Sequence, residues 1–186
     1  MFKFLFLSLS LLTAQQYAYA KDDITERNYD DVIFKNTRLS SNQTEYLTIP
    51  TELAHAYGSD STTLHHLDKD LAELVRLRIG QIDQCNYCVI LHTKQTETLG
   101  ISPSKVASLS TWPQSNLFSG KEKAALKYAE SLSTLQHNEI QADYDQLLTL
   151  KFTSPEIEEL TNVVILMDVW SRIFMAQGKI SEPPMN

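Results

Sequence analysis

The sequence ELVRLRIGQIDQCNYCVILHT, residues 73–93, contains both cysteines of a 186-residue chain. Apolar residues recur at helical spacing through its first half and upstream to Leu67. This spacing predicts a helix of about four turns that ends near Ile82. Asp83 is then the expected N-cap of a second helix, which Gly100 ends. The stretch therefore predicts two consecutive helices, with both cysteines at the start of the second.

Helical signals continue through the rest of the chain, whereas strand signals are weak. Further helices are predicted near residues 51–57, from Ser102-Pro103, after a capping box of Ser119 and Glu122, over 143–150, and from Thr153 to Gly178. We therefore predict an all-α fold. Its expected organisation is a signal peptide over 1–20, an N-terminal arm with a short helix over 21–64, and one helical core over 65–180.

The N-terminal segment has the three parts of a secretory signal peptide. Lys3 supplies a positive charge, residues 4–12 are apolar, and Ala-Tyr-Ala at 18–20 is a small-x-small cleavage site. The apolar run is shorter than the roughly 20 residues that a membrane-spanning helix needs. We therefore expect cleavage before Lys21, no membrane span, and a periplasmic or secreted protein. A retained interfacial anchor is the alternative.

The overall charge of the chain narrows the class of partner. The formal net charge is −7 at pH 7. Binding to nucleic acid or to an anionic membrane needs clustered lysine and arginine residues. A small molecule or another protein is therefore the expected partner, and nucleic acid is not.

Charged residues interrupt two of the apolar helical patterns. Arg78 falls inside the apolar arc of the first predicted helix, and Glu73 falls at its edge. Asp168 interrupts an apolar run in the last helix. Because a buried charge needs a partner, we predict that Asp168 forms a structural ion pair with Arg78 or Arg172.

The two cysteines and a nearby histidine share one helical face. Cys85, Cys88 and His92 follow the spacing i, i+3 and i+7. Both thiols lie in the first turns of their helix, where the dipole and the free N–H groups favour the thiolate. His92 is able to exchange a proton near neutral pH. This arrangement suits a reactive thiol.

Four interpretations of this cluster differ in their chemistry. A c-type haem site needs histidine directly after the second cysteine, and Val89 at that position excludes it. A zinc site would need a fourth ligand and normally uses more cysteines. The histidines that could supply that ligand are His55, His65, His66 and His137. A structural disulfide and a redox-active dithiol both remain open, although a two-residue loop gains little stability from a bridge.

The same stretch resembles the core signature of the alkylhydroperoxidase AhpD and carboxymuconolactone decarboxylase family. The family pattern is Glu, eleven residues, Cys, two residues, Cys, three residues, His. Glu73, Cys85, Cys88 and His92 match it. The resemblance extends over about residues 67–178, most of the chain that follows the signal peptide.

The resemblance implies a helical bundle built around a helical hairpin that carries the CxxC motif and assembles into trimers or hexamers. It implies reduction of hydroperoxides without a cofactor or a metal. By position, Cys88 resembles the peroxidatic cysteine and Cys85 the resolving one, which also meets an external dithiol or protein reductant. Glu73 and His92 resemble the proton relay.

The chain departs from the family pattern at three positions. Tyr87 stands where the best-known peroxidases of the family have a further histidine. The proton relay and the reductant of those peroxidases therefore do not carry over directly to this chain. Asp168 and Ser171 replace asparagines that are common in relatives. The decarboxylase branch does not depend on a cysteine pair, so Cys85 and Cys88 favour the thiol branch.

These features lead to one principal hypothesis. We predict a thiol-dependent peroxidase that reduces organic hydroperoxides or hydrogen peroxide in antioxidant defence. A general dithiol-disulfide oxidoreductase that acts on proteins is one alternative. A non-catalytic oligomeric module with a structural disulfide is the other.

Overall fold

The computed structural model describes residues 32–39, 45–57 and 64–183. Seven α-helices, one 3₁₀ helix and two short strands lie within this part. The helices are α1 (Glu45–Tyr57), α2 (Lys69–Ile82), α3 (Asn86–Thr98), α4 (Pro103–Ala107), α5 (Gly120–Ser133), α6 (His137–Thr149) and α7 (Ser154–Gln177), with the 3₁₀ helix (Leu109–Gln114) after α4. The strands are β1 (Ile33–Asn36) and β2 (Lys179–Glu182). The predicted helical fold class is confirmed, and the predicted signal peptide lies outside the described residues.

Local capping sequences set most of the helix ends. At the start of α5, the Ser119 hydroxyl accepts a hydrogen bond from the backbone N–H of Glu122. The Glu122 carboxylate in turn accepts one from the backbone N–H of Ser119. The same reciprocal box, led by Thr153, starts α7. Gly100 and Gly178 follow α3 and α7 in the left-handed conformation, with φ of 75° and 61°. These four predicted boundaries are confirmed.

Two predicted helices begin earlier than the sequence indicated. The helix expected near residues 51–57 starts at Glu45. Leu47 lies two turns before Ala54 on the same helical face, and both residues are buried. The apolar face therefore continues upstream through Pro50. The helix expected over 143–150 starts at His137, and its first turns bring the partly buried Ile140 onto the core.

Helix α2 lies at the centre of the core. It packs against α3, α5 and α7, so that Ala72, Leu74, Val75 and Ile79 are fully buried. This three-sided contact explains why the apolar arc of α2 is wider than a simple amphipathic stripe. The hairpin of α2 and α3 therefore forms the middle of the bundle.

The strands join the two ends of the described chain. Ile33 pairs with Glu182, and Asn36 with Lys179, in an antiparallel ribbon. Beyond β1, the backbone N–H of Arg38 donates to the carbonyl of Gln177. Its guanidinium also donates to carbonyls in the last turn of α7, where a cation opposes the helix dipole favourably. The residues that follow β1 thus cap the C-terminal end of α7.

The predicted partners of Asp168 are partly corrected. Arg172 pairs with Asp168 at 3.4 Å, one of the two expected arrangements. Arg78 does not pair with Asp168, because its Nε lies 2.6 Å from the carboxylate of Glu130 on the neighbouring α5. The same Glu130 oxygen accepts the indole N–H of Trp112, which holds the 3₁₀ helix against the hairpin.

The 24-residue helix α7 is the longest one described. It carries polar and charged residues at intervals and contributes to the packed core. In the parts of the chain that the structure describes, no helix combines the length and the apolar character needed to cross a membrane.

Candidate active site

A tight turn between α2 and α3 positions the CxxC motif. Asp83 is the C-cap of α2 rather than the N-cap of α3, because Gln84 takes a left-handed conformation with φ of 53°. The chain reverses there, and the N–H of Cys85 donates to the carbonyl of Gly80 at 3.0 Å. Cys85 itself is the N-cap of α3. The predicted capping role of Asp83 is therefore wrong.

Glycine at position 80 allows the two helices to approach closely. A Cβ atom built on Gly80 would lie 3.1 Å from the Cβ of Cys88 and 3.5 Å from its carbonyl carbon. A side chain there would crowd the first turn of α3. The close approach fixes this turn against the centre of the bundle.

Cys85 and Cys88 form a disulfide, with their Cα atoms 5.3 Å apart. The exposed fractions of the two residues are only 2% and 1%. The Sγ of Cys85 accepts the backbone N–H of Cys88 at 3.3 Å. The Sγ of Cys88 lies 3.6 Å from the hydroxyl oxygen of Ser171 on α7. Each sulfur therefore has its own polar neighbour in a site closed by packing.

Glu73 and His92 meet across the hairpin, from α2 and α3. The Nδ1 of His92 lies 2.5 Å from one carboxylate oxygen of Glu73. The other oxygen accepts a hydrogen bond from the guanidinium of Arg76 at 3.0 Å. All three residues are buried. The carboxylate thus fixes the orientation of the imidazole ring and is itself fixed by Arg76.

These contacts determine the protonation state of Glu73. Burial by itself would raise the pKa of this carboxyl, but the hydrogen bond and charge of His92, together with those of Arg76, outweigh it and lower the pKa. Glu73 is therefore ionised at neutral pH. Its role in this geometry is to hold and polarise His92, since an anchored carboxylate is a weak proton carrier.

The pKa of Asp83 is shifted in the opposite direction. Burial raises the pKa of its carboxyl, and the negative charge of Asp168 raises it further. The hydroxyl of Ser171 and the charge of Arg172 act against this increase in the pKa. One carboxyl oxygen, Oδ2, is buried without a hydrogen-bond partner. A half-buried carboxyl therefore lies near Ser171, the serine that contacts Cys88.

The β-ribbon covers the two residues between the cysteines. The side-chain amide of Asn86 donates to the hydroxyl of Ser181 on β2 at 2.7 Å. The ring of Tyr87 packs edge-on against Phe34 of β1, with centroids 4.6 Å apart, and lies 4.4 Å from the ring of Phe174. The ammonium of Lys179 lies 4.6 Å from the Tyr87 centroid, within cation–π distance. Tyr87 therefore serves as a packing residue.

The structure brings the four sequence-predicted residues into two adjacent groups. Cys85 pairs with Cys88, and Glu73 pairs with His92. Within residues 64–183, His92 makes no hydrogen bond to either sulfur of the disulfide. The assignment of individual catalytic roles stays a prediction.

Sequence reasoning missed three polar residues of the site. Arg76 could have been found from its position three residues after Glu73, the spacing of a helical ion pair. The roles of Asp83 and Ser171 depend on contacts between α7 and the hairpin turn, and no local pattern indicates such a contact.

The zinc interpretation does not fit the described residues. Across 32–39, 45–57 and 64–183, no three histidine, cysteine or acidic side chains are grouped so that they could hold a metal ion. The backbone N–H groups of His65 and His66 instead donate to the carboxylate of Glu159. The two thiols are bonded to each other.

The sequence from α1 to α5 matches a known family profile. Residues 51–131 match the carboxymuconolactone decarboxylase family, and this segment contains the whole hairpin with both cysteines, Glu73 and His92. Over these residues the chain is similar to the carboxymuconolactone decarboxylase family. The predicted family resemblance is confirmed.

Individual proteins are similar to this chain in sequence or in structure. The chain is similar to the uncharacterised protein YnjA of Escherichia coli K12, with 35% identity over 107 residues, which cover 57% of this chain and 58% of that protein. It is similar in structure to a protein of unknown function from Agrobacterium tumefaciens, whose name suggests antioxidant defence of the AhpD type. The TM-score is 0.68 with 21% identity, over 82% of this chain and all of that one.

A second solved structure gives the same result. It is an uncharacterised peroxidase-related protein with an alkylhydroperoxidase AhpD core from Ralstonia eutropha JMP134. The TM-score is 0.62 with 15% identity, over 73% of this chain and 70% of that one. Identities this low show the fold alone. The AhpD-like fold and the CxxC pair are compatible with a peroxidase-type enzyme.

Proposed function

We propose that this protein is a thiol-dependent peroxidase that reduces organic hydroperoxides or hydrogen peroxide. The observation that carries the proposal is the CxxC disulfide at the start of α3, one helical turn from a histidine that a buried glutamate orients. Helix N-termini favour thiolates, and an oriented imidazole is a suitable proton acceptor and donor. A structural bridge would need neither feature.

In the oxidative half-reaction, the thiolate of Cys88 attacks one peroxide oxygen and breaks the O–O bond. Cys88 becomes a sulfenic acid, and the leaving alkoxide or hydroxide takes from His92 the proton that His92 received from the Cys88 thiol. Cys85 then gives its thiol proton to His92 and attacks the sulfenic sulfur, so that the disulfide forms, the S–O bond breaks, and the leaving hydroxide takes that proton from His92 and departs as water. The ionised Glu73 stabilises the imidazolium that forms between these steps.

In the reductive half-reaction, an external dithiol reopens the disulfide by thiol-disulfide exchange and is itself oxidised to a disulfide. We propose that Cys85 is attacked and that Cys88 leaves. Because both sulfurs are buried, a small dithiol or a narrow protein loop suits this site better than a broad protein surface. This favours the peroxidase over a general oxidoreductase of folded proteins.

The export signal bears on the source of electrons. If residues 1–20 are removed during export, the protein works in the periplasm or outside the cell, where exposed dithiols are mostly oxidised. We propose a dedicated dithiol reductant in that compartment. Its chemical class is fixed by the exchange reaction.

Separate replacement of the two cysteines tests the function. We expect Cys88→Ser to abolish peroxide consumption even in a single turnover. We expect Cys85→Ser to consume about one equivalent and to leave Cys88 as a sulfenic acid, which dimedone traps for mass spectrometry. Glu158→Gln, on the exposed surface near the start of α7, is a control for general handling of the protein.

The opposite cysteine pattern would exchange the two roles and keep the enzyme. This outcome has a physical basis, because the sulfur of Cys85 already accepts a backbone N–H. If neither variant changes peroxide consumption, and the wild-type disulfide has a potential below about −300 mV, the bridge is structural and the proposal is wrong.

A further inference from the structure

We infer that the hydroxyl of Ser171 donates a hydrogen bond to the sulfur of Cys88 and stabilises the thiolate of that cysteine. This inference rests on the proposed dithiol-disulfide cycle. It assigns Ser171 as a further catalytic residue of that cycle, because the hydroxyl touches a reacting atom. The contact lies on the side of the disulfide that faces α7, whereas Glu73 and His92 belong to the α2–α3 hairpin.

The contact between the serine and the sulfur is direct. The Oγ of Ser171 lies 3.6 Å from the Sγ of Cys88, a distance that suits a hydrogen bond to a large sulfur atom. Cys88 is bonded to Cys85, so its sulfur has no hydrogen to give. The hydroxyl is therefore the donor of this pair in the oxidised protein.

Ser171 occupies a core position on α7. It is 0% exposed and shares a helical face with Val164 and Met167, which are buried as well. A hydroxyl at such a position costs free energy unless a hydrogen bond satisfies it. A disulfide sulfur is a weak acceptor, whereas an ionised acceptor makes a bond roughly twice as strong as a neutral one. The buried hydroxyl is therefore best satisfied when Cys88 is a thiolate.

The two sulfurs have donors of different origin. The Sγ of Cys85 accepts the backbone N–H of Cys88 at 3.3 Å, which comes from the start of α3 itself. The Sγ of Cys88 is contacted by a side chain from another helix. A substitution at Ser171 therefore removes the donor of one sulfur and leaves the donor of the other in place.

The step that this hydrogen bond assists is the opening of the disulfide. A thiolate of the external dithiol attacks the Sγ of Cys85, a new S–S bond forms, and the Cys85–Cys88 bond breaks with its electron pair on Cys88. Ser171 keeps its own proton and donates a hydrogen bond to the new thiolate. The second thiolate of the reductant then attacks its own sulfur, and Cys85 leaves and takes a proton from water. Two electrons have then moved from the dithiol to the protein.

Other ionisable side chains also act on this part of the bundle. They belong to α2, α3, α7 and the turn before Cys85, and each keeps its identity when Ser171 is changed: Glu73, Arg76, Asp83, His92, Asp168 and Arg172. A comparison of serine and alanine at position 171 therefore isolates the hydroxyl.

The test measures thiolate formation in a full-length chain with one thiol. In Cys85→Ser, the ultraviolet absorbance of the thiolate is followed over pH, below the range in which tyrosine ionises, and the signal of Cys85→Ser/Cys88→Ser is subtracted. We expect Ser171→Ala in the Cys85→Ser chain to raise the pH midpoint of thiolate formation by about one pH unit, because the thiolate loses a charge-assisted hydrogen bond.

Two controls separate this effect from a general change in packing. Ser131→Ala removes another buried serine hydroxyl, one that donates to Asp143 on α6, and it should leave the midpoint of Cys88 unchanged. In a Cys88→Ser chain, Ser171→Ala should leave the midpoint of Cys85 unchanged, because the sulfur of Cys85 has a backbone donor.

Reduction of the disulfide gives a second readout in the chain with both cysteines. The probe is dithiothreitol at neutral pH, and the products are alkylated and analysed by mass. We expect Ser171→Ala to slow the reduction about 3- to 10-fold, because a thiolate that is less stable is a poorer leaving group.

An unchanged midpoint of Cys88 in folded Ser171→Ala would overturn the inference, and circular dichroism checks the fold. A lower midpoint would also overturn it, because the serine would then accept a hydrogen bond from the thiol. An unchanged rate of reduction would show that the hydroxyl does not assist the departure of Cys88. Since no peroxide is used, these failures are separate from failure of the peroxidase proposal, which depends on peroxide consumption by the wild type.

Discussion

Glu73 shows how neighbouring residues determine what a buried carboxyl can do. It is almost fully buried, yet it keeps its charge because His92 and Arg76 each contact a different oxygen. Removing one member of such a group leaves the other polar side chains buried with one partner fewer. The energetic cost of a substitution here therefore reflects the residues left behind more than the one removed.

We predict that Glu73→Gln destabilises the oxidised protein by about 1–3 kcal/mol, because the buried carboxylate that contacts both His92 and Arg76 is lost. Urea unfolding measures the change. Glu182→Gln, which breaks an exposed ion pair with Lys35, should cost less than about 1 kcal/mol.

The pH dependence of stability provides a second readout of the same prediction. The lowered pKa of Glu73 means that its stabilisation is fully present above the ordinary value of 4.5 and is lost as pH falls through the folded-state pKa. Glu73→Gln should remove this acid-dependent component. Equal stability of the variant and the wild type at neutral pH would contradict the prediction.

At the level of elements, the sequence predicted those features that depend on nearby residues. The capping boxes led by Ser119 and Thr153, and the glycine that ends α7, were all predictable because their partners lie within a few positions. The turn before Cys85 was not, because Gln84 is a non-glycine residue that takes φ of 53° and has no sequence signal for it.

Long-range contacts account for the rest of what the sequence did not show. Strand β1 exists because it pairs with β2 across almost the whole chain, and four-residue strands have too little alternation to be recognised. Ser171 reaches Cys88 only when α7 packs on the hairpin. The glutamate, cysteine and histidine positions were predictable because the family pattern places them in one continuous stretch.

We predict that Gly80→Ala perturbs the thiol site. Alanine usually stabilises a helix interior relative to glycine by up to about 1 kcal/mol, but here the added methyl group would meet the Cβ of Cys88 at 3.1 Å. Because a disulfide and a helix start hold that atom, we expect a net loss of about 1 kcal/mol in urea unfolding.

The control for this prediction is Gly120→Ala in the first turn of α5. A Cβ atom on Gly120 meets nothing within 4 Å, so this variant should be unchanged or gain up to about 1 kcal/mol. The comparison isolates the close approach of α2 and α3 from helix propensity. Equal gains in both variants would show that α3 moves aside freely.

For the whole molecule, the described surface contains apolar side chains that one chain leaves uncovered. Ile49 on α1 is 61% exposed and Ile165 on α7 is 49% exposed. Ile165 lies on the outer face of α7, opposite the buried Val163, Val164 and Met167. Scattered exposed residues are common in monomers, so their meaning depends on whether a second copy covers them.

We predict that the protein is a homo-oligomer, a trimer or a hexamer, in which the outer face of α7 contributes to the contact between copies. Symmetric contacts between identical copies bury such apolar faces without a different protein chain. Sedimentation equilibrium at micromolar concentration should give a mass of three or six chains.

Ile165→Lys should lower this mass, because a lysine ammonium in an apolar contact lacks water and a partner. Gln141→Lys, which places the same charge on the exposed side of α6 and removes no apolar group, should keep the wild-type mass. A wild-type protein that sediments as a single chain would exclude the oligomer, whereas an Ile165→Lys oligomer of full mass would exclude this face of α7 as the contact.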